Sequence, residues 1–279
     1  MTLFIDLRAS DVGGLCADGA TVRQDGNTLS EDDFAKQARG RDLVLATHGF
    51  NVDRKSGMQC LSDWEKLCSL PPSCLFVGVL WPGDSKYLPV LDYPAEGDEA
   101  ITSGRHLSAF LNNCAAGAAS VSFASHSLGG RVVLETLAGL NRRARRLVLM
   151  AGAIENNCLQ QEYRDAASKA DQILVLASVC DWVLHYAFPV GNPIGQIIMH
   201  GHPYFRTALG RDGPAQPIPP EQGSAWDIPK GWTYVHADYL PEDSSQKRVP
   251  PPVSRPGENE SKPEKAAWSA RVLSSVLQS

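Results

Sequence analysis

Short, continuously apolar runs recur along this chain and alternate with stretches whose apolar residues return at every third or fourth position. The runs are Leu43–Thr47, Leu75–Leu80, Val121–Ser125, Leu147–Met150, Ile173–Ala177 and Thr233–Val235, and the opening Met1–Arg8 reads as a first strand. Continuous rather than alternating apolarity marks strands covered on both faces. Gly57–Ser69, Glu96–Asn113 and Leu128–Leu140 carry the helical period between them. Strands alternating with helices predict an α/β domain with a mostly parallel central sheet flanked by helices on both faces.

Two stretches break this rhythm and set the expected boundaries. Residues 183–223 mix Gly and Pro with Phe188, Ile194, Ile197, Ile198, Met199, Tyr204 and Phe205. This is too apolar for a solvated linker, and it reads either as a lid or cap over a pocket or as a buried excursion closing the core. Residues 241–264 hold six prolines and nine charged residues in 24 positions, so they read as a mobile tether that buries no core. The main domain is therefore expected over 1–240. A last helix over 265–279 follows, with Trp268, Val272 and Val276 on one face to dock on its own domain or on a second chain, which would make an oligomer.

Composition narrows the class of protein. With 43% hydrophobic and 20% charged residues among 279, the chain can bury a sizeable core and is neither disordered nor a coiled coil. A net charge of -5 argues against nucleic acid as a partner. No apolar run reaches the length of about 18 residues that a transmembrane segment requires. The N-terminus lacks the features of a signal peptide, and the seven cysteines are scattered without a C-x-x-C pair. Both observations predict a cytoplasmic protein with reduced thiols.

The chemistry concentrates in Val121-Ser-Phe-Ala-Ser-His-Ser-Leu-Gly-Gly-Arg131, an apolar strand running through Ser-His-Ser-Leu-Gly into an amphipathic helix. This is the strand–turn–helix context of a G-x-S-x-G nucleophile elbow, with Ser127 as nucleophile and Ser125 in place of the first glycine. A serine hydroxyl needs a base to take its proton and an acid to orient that base. Upstream, a strand ends in His48-Gly49-Phe50-Asn51, an early loop suited to half of an oxyanion hole. The expected donors are the amides of Phe50 and Leu128, with Gly49 permitting close approach and His48 beside the substrate.

The order of His-Gly-Phe-Asn, Leu80-Trp-Pro-Gly83, the Tyr93…Asp98…Ala100…Ser103 run and Ser-His-Ser-Leu-Gly-Gly resembles a serine-esterase-like α/β-hydrolase family described mostly as of unknown function, over roughly residues 40–240. The resemblance implies an α/β-hydrolase fold, an acid after a later strand and a histidine near the last one. Asp181, closing the strand that ends in Ser178-Val-Cys-Asp, matches the acid. His236, in Tyr234-Val-His-Ala-Asp-Tyr239, matches the base, with Val235 where that family has glycine.

Rivals remain at this stage. Asp165 and Asp171 precede the strand, and Asp238 either caps a turn or replaces Asp181. His200 and His202 also read as a metal-ligand pair, but without further ligands at a recognisable spacing no metal is expected. His126 reads as packing on the helix, and His106 and His185 as ordinary helix or loop histidines. Trp81, Tyr87, Tyr93 and Trp182 divide between pocket wall and core, with Trp81 and Trp182 taken as substrate contacts. Arg142-Arg-Ala-Arg-Arg146 reads first as cations at a helix C-terminus, with a phosphate patch as the rival. The expected activity is a cofactor-free serine hydrolase acting on a carboxylic ester or thioester of a small molecule or lipid. The alternatives are a lipase or phospholipase with an apolar lid, and a catalytically silent fold that binds a partner.

Overall fold

The computed structural model describes residues 2–13, 15–84, 93–186, 188, 207–218, 223–227, 233–241 and 262–278. Among them the order of elements is β1 (Leu3–Arg8), β2 (Cys16–Gln24), β3 (Asn27–Leu29), α1 (Glu31–Ala38), β4 (Asp42–Thr47), α2 (Arg54–Leu67), β5 (Cys74–Leu80), α3 (Tyr93–Cys114) and β6 (Ser120–His126). There follow α4 (Gly129–Gly139), β7 (Ala144–Met150), α5 (Arg164–Ala167), β8 (Ala170–Ala177), α6 (Trp182–Tyr186), α7 (Leu209–Asp212), β9 (Gly223–Asp227) and α8 (Lys262–Gln278).

The described strands form one sheet in the order β3-β2-β1-β5-β4-β6-β7-β8-β9, parallel from β1 to β9 and antiparallel only at β1-β2 and β2-β3. Alternate residues of the central strands enter opposite cores, which is why strands such as β4 and β5 are apolar over continuous runs. Leu43 and Leu45 of β4, with Val121 and Phe123 of β6, pack under α1, α3 and α4 against Phe34, Phe110 and Leu134. Val44, Ala46 and Ala124 face the other side, where Leu61 and Trp64 of α2 and Ala270 and Leu273 of α8 cover them. Helices thus flank both faces, as the apolar runs predict.

The antiparallel edge escaped the sequence reading. Its signal is Asp25-Gly26, both at positive φ (55° and 79°), a two-residue turn of the primed kind that suits a twisted hairpin. The final predicted strand, Thr233–Val235, is also corrected. Among the described residues the last strand is β9, whose Gly223 and Asp227 pair with Ile173 and Ala177, while residues 233–235 have no regular structure. Tyr234 is wholly buried because its ring anchors a loop, not because it stands in a sheet.

Of the 183–223 segment, residues 187, 189–206 and 219–222 lie outside the described residues, and with them His200 and His202. Residues 207–218 pack on the body. Leu209 N–H donates to Ile154 O (2.7 Å), Gly210 N–H to Gly152 O (2.9 Å), and Ser178 N–H to Gly210 O (2.9 Å). Tyr87 and residues 242–261 of the expected tether also lie outside. Helix α8, starting at Lys262, docks on its own chain: Val272 is buried, Trp268 and Val276 pack beside it, and Arg146 Nε donates to Val276 O (3.0 Å). The apolar face that the sequence offered to a second chain is therefore covered by α2 and the sheet. Among the described residues, no helix is long and apolar enough to cross a membrane.

The arginine cluster is bound up in the fold. Arg142 donates to the carbonyls of Ala115, Ala118 and Ala119, and Arg143 pairs with Asp171 (2.6 Å), which removes Asp171 from contention as the acid. All seven cysteines are free thiols.

Candidate active site

Parallel strands deliver the ends of β4, β6, β7 and β8 to one edge of the sheet, and the site lies there. Strand β6 ends at His126 and α4 begins at Gly129, so the chain must reverse within two residues. It does so by placing Ser127 at φ 54°, a left-handed conformation that costs a non-glycine residue on the order of 1 kcal/mol or more. Neighbouring strands hold the strained turn in place. Ser127 N–H donates to Met150 O (3.0 Å), and Ser127 O accepts from Gly130 N–H (3.1 Å) and Ala153 N–H (3.2 Å). Gly129 is required by space: a Cβ there would overlap the backbone carbonyl of His48.

Asp181, the candidate acid, lies in the loop after β8. Asp181 is wholly buried; its Oδ1 accepts Leu184 N–H (3.0 Å) at the start of α6, and its Oδ2 lies 2.7 Å from His236 Nδ1. On the other side of the ring, His236 Nε2 lies 2.7 Å from Ser127 Oγ. A carboxylate can only accept at Nδ1, so Nδ1 carries the proton and Nε2 is left to accept from the serine hydroxyl. Asp181, His236 and Ser127 are thus joined in one continuous chain of hydrogen bonds. Of the rivals, Asp165 is exposed and paired with Arg164, and Asp238 is turned away to cap the histidine loop at Val235 N–H (2.9 Å).

Leu128 and Phe50, the residues expected to supply oxyanion donors, lie in the turn that carries Ser127 and in the loop packed against it. Leu128 is the N-cap of α4, where amide groups have no acceptor within the helix and the helix dipole favours negative charge. The β4–α2 loop is pressed against the serine turn, because a Cβ on Gly49 would stand 2.9 Å from both Ser127 Cβ and His126 Nδ1. Phe50 is the next residue of that loop.

His48 and Trp81 are corrected as substrate contacts. Both are buried, at 1% and 0% exposure, and their polar groups serve each other. His48 Nδ1–H donates to Gly49 O (2.9 Å), Trp81 N–H donates to His48 Nε2 (3.3 Å), and Trp81 Nε1–H donates to His48 O (2.9 Å). The pair shapes the loop that carries Phe50. Trp182 is half-buried and opens α6 directly after Asp181.

Burial holds the His48 imidazole neutral and pushes its pKa down to about 4. A folded-state pKa below the unfolded value of about 6.5 means that unfolding takes up a proton, so stability from this group is full above about pH 6.5 and is lost as pH falls toward 4. The loss is expected to be about 3 kcal/mol at most. Urea unfolding at a series of pH values checks it: His48→Gln, which can keep both hydrogen bonds, is expected to flatten the decline between pH 6.5 and 4.

Sequence reasoning missed the residues that hold the histidine loop. His126 Nε2 lies 2.6 Å from His236 O, across 110 residues of sequence, and must donate its proton there; the two rings stand 4.9 Å apart. Ser178 Oγ donates to Tyr234 O (2.8 Å), tying the acid loop to the histidine loop. His126 sits beside the nucleophile in sequence, which is the one signal that could have drawn attention to it. Among the described residues, no three His, Cys, Asp or Glu side chains gather as a metal site.

Comparison with known proteins adds a family. Similar solved structures include esterase PE8, 15% identical, with 71% of this chain and 86% of that chain covered at a TM-score of 0.38. An esterase of the planctomycete Thermogutta terrifontis, with propionate bound, is 7% identical over 73% and 76% at 0.37. Acetyl xylan esterase 1 from Thermoanaerobacterium sp. JW/SL YS485 is 10% identical over 78% and 73% at 0.38. No curated protein matches the chain in sequence. A family model described as "alpha/beta hydrolase of unknown function (DUF900)" matches residues 26–215, which include Ser127 and Asp181, and the chain belongs to that α/β-hydrolase family.

Proposed function

We propose that the protein is a serine hydrolase that cleaves a carboxylic ester or thioester through an acyl-enzyme on Ser127. The observation that carries this reading is the Asp181–His236–Ser127 chain, with 2.7 Å at each link, at the end of a strained strand–turn–helix elbow. In this reading Ser127 Oγ attacks the acyl carbon while its proton passes to His236 Nε2. Asp181 holds the ring in the productive tautomer and stabilises the imidazolium that forms. The negative charge on the carbonyl oxygen is met by the amides of Phe50 and Leu128, donors fixed before the reaction and therefore free of reorganisation. His236 then returns the proton to the leaving alcohol or thiol. In the second half, water gives a proton to His236 and attacks the acyl-enzyme, releasing the carboxylic acid and restoring Ser127.

Steady-state hydrolysis of p-nitrophenyl acetate and of a short acyl thioester tests the reading. Turnover by wild type on at least one of the two, absent from Ser127→Ala, supports it; equal rates for the two proteins on both compounds would overturn it.

A further inference from the structure

Helix α8 reaches the candidate site through a buried ion pair. Lys265 is 3% exposed and Asp238 5% exposed, with Lys265 Nζ 3.0 Å from Asp238 Oδ2. The same ammonium donates to Thr233 O (2.5 Å) and lies over the Tyr234 ring, 5.8 Å from its centroid. In return, Tyr234 OH donates to Lys265 O (2.7 Å), and its ring meets Trp268 at 5.8 Å. The Asp238 carboxylate that receives Lys265 also accepts the N–H of Val235, the residue before His236, and Asp238 N–H closes the turn on Val235 O (3.0 Å).

Residues 233–241 have no strand or helix to satisfy their backbone, so their direction is set by such side-chain contacts. A buried ammonium is expensive to desolvate, and an apolar side chain of similar length would fill the same space at lower cost. What the ion pair supplies is direction: it fixes Asp238, Asp238 fixes Val235, and the turn then aims the His236 ring between Asp181 and Ser127. We propose that Lys265 is a positioning residue for His236, so that α8 completes the site; the catalytic part of this inference rests on the serine-hydrolase reading. His126 grips the His236 carbonyl and Ser178 the Tyr234 carbonyl, and these contacts hold the same loop with Asp238.

Full-length Lys265→Met, Lys265→Arg and Tyr234→Phe are to be compared with wild type in two measurements. One is kcat and KM for p-nitrophenyl acetate on protein counted by circular dichroism as folded. The other is the far-downfield proton resonance of the His236 Nδ1–H held by Asp181. Lys265→Met is expected to lower kcat by about tenfold to a hundredfold, as for a misplaced catalytic group, with KM within about twofold, and to shift or broaden the resonance. Lys265→Arg restores the cation and is expected to recover most of both. Tyr234→Phe removes only one hydroxyl and is expected to cost about threefold in kcat.

A folded Lys265→Met with wild-type kcat and resonance would overturn the proposal. If Lys265→Met does not fold, Tyr234→Phe decides, and a wild-type kcat and resonance there would overturn it equally. A wild type that hydrolyses nothing defeats the serine-hydrolase reading alone. The resonance then decides positioning by itself, with an unchanged signal in Lys265→Met, or in Tyr234→Phe if that chain does not fold, overturning it.

Discussion

Replacing His236 by alanine is expected to lower kcat for an activated ester by about 10⁵- to 10⁶-fold while leaving the protein folded. The ring's side chain is partly open to solvent (17%) and carries three polar links: Nδ1 to Asp181, Nε2 to Ser127, and its backbone carbonyl to His126. The backbone link survives the substitution, so the loop keeps its course. Ser127 loses its base and reverts to an ordinary hydroxyl. Activity over buffer of about 10³-fold is expected to remain from the amides of Phe50 and Leu128 and from binding. A second substitution of Ser127 in the same chain is expected to cost little more, because the groups act as a unit. Steady-state rates of the two single variants and the double variant measure this, and independent, multiplying losses would contradict it.

Arg8→Met is the substitution with the largest expected effect on stability, about 3 to 5 kcal/mol by urea unfolding. The Arg8 side chain is wholly buried and holds three loops at the edge of the sheet where the site lies. It donates to Ser10 O (3.2 Å) and Asp11 O (3.3 Å) after β1, to Val52 O (3.1 Å) after β4, and to Trp81 O (2.8 Å) after β5, and it pairs with Asp84. Asp84 in turn accepts Gly13 N–H (2.7 Å). Methionine would strand the Asp84 charge and several buried carbonyls. Arg8→Met with Asp84→Leu removes the stranded charge and is expected to regain part of the stability. It is not expected to regain kcat, because Val52 lies two residues from Phe50 and its loop would have lost its tie. Full activity in the double variant would show that the loop needs no such tie.

Much of the site is legible in the sequence because its defining constraints are local. The elbow needs a strand, a tight turn and a helix in immediate succession, and Val121–Arg131 spells all three out. Asp181 and His236 are reached through the resemblance to the α/β-hydrolase family, which implies an acid after a later strand and a histidine near the last one. What was not legible depends on contacts between distant segments. Nothing near Lys265 in sequence announces that its ammonium lies on Asp238, 27 residues upstream beyond a proline-rich stretch. His126 reads as packing on a helix because its partner is a backbone carbonyl, which leaves no pattern in a sequence. His48 reads as a substrate contact from its place in the early loop and Trp81 from its aromatic side chain, whereas burial and mutual hydrogen bonds make them the frame of a loop. Residues 233–235 have the composition of a strand because Tyr234 must be buried, and composition cannot distinguish a buried strand from a buried anchor.

In the proposed reading Ser127 is an activated nucleophile. The most direct measurement is reaction of the purified wild-type protein with a fluorophosphonate, followed by intact mass and by digestion to place the adduct. A single phosphonyl adduct is expected on the peptide carrying Ser127, at a rate reduced by several orders of magnitude in His236→Ala and with no adduct in Ser127→Ala. A well-folded wild type that stays unlabelled, or an adduct on another residue that persists in Ser127→Ala, would contradict it.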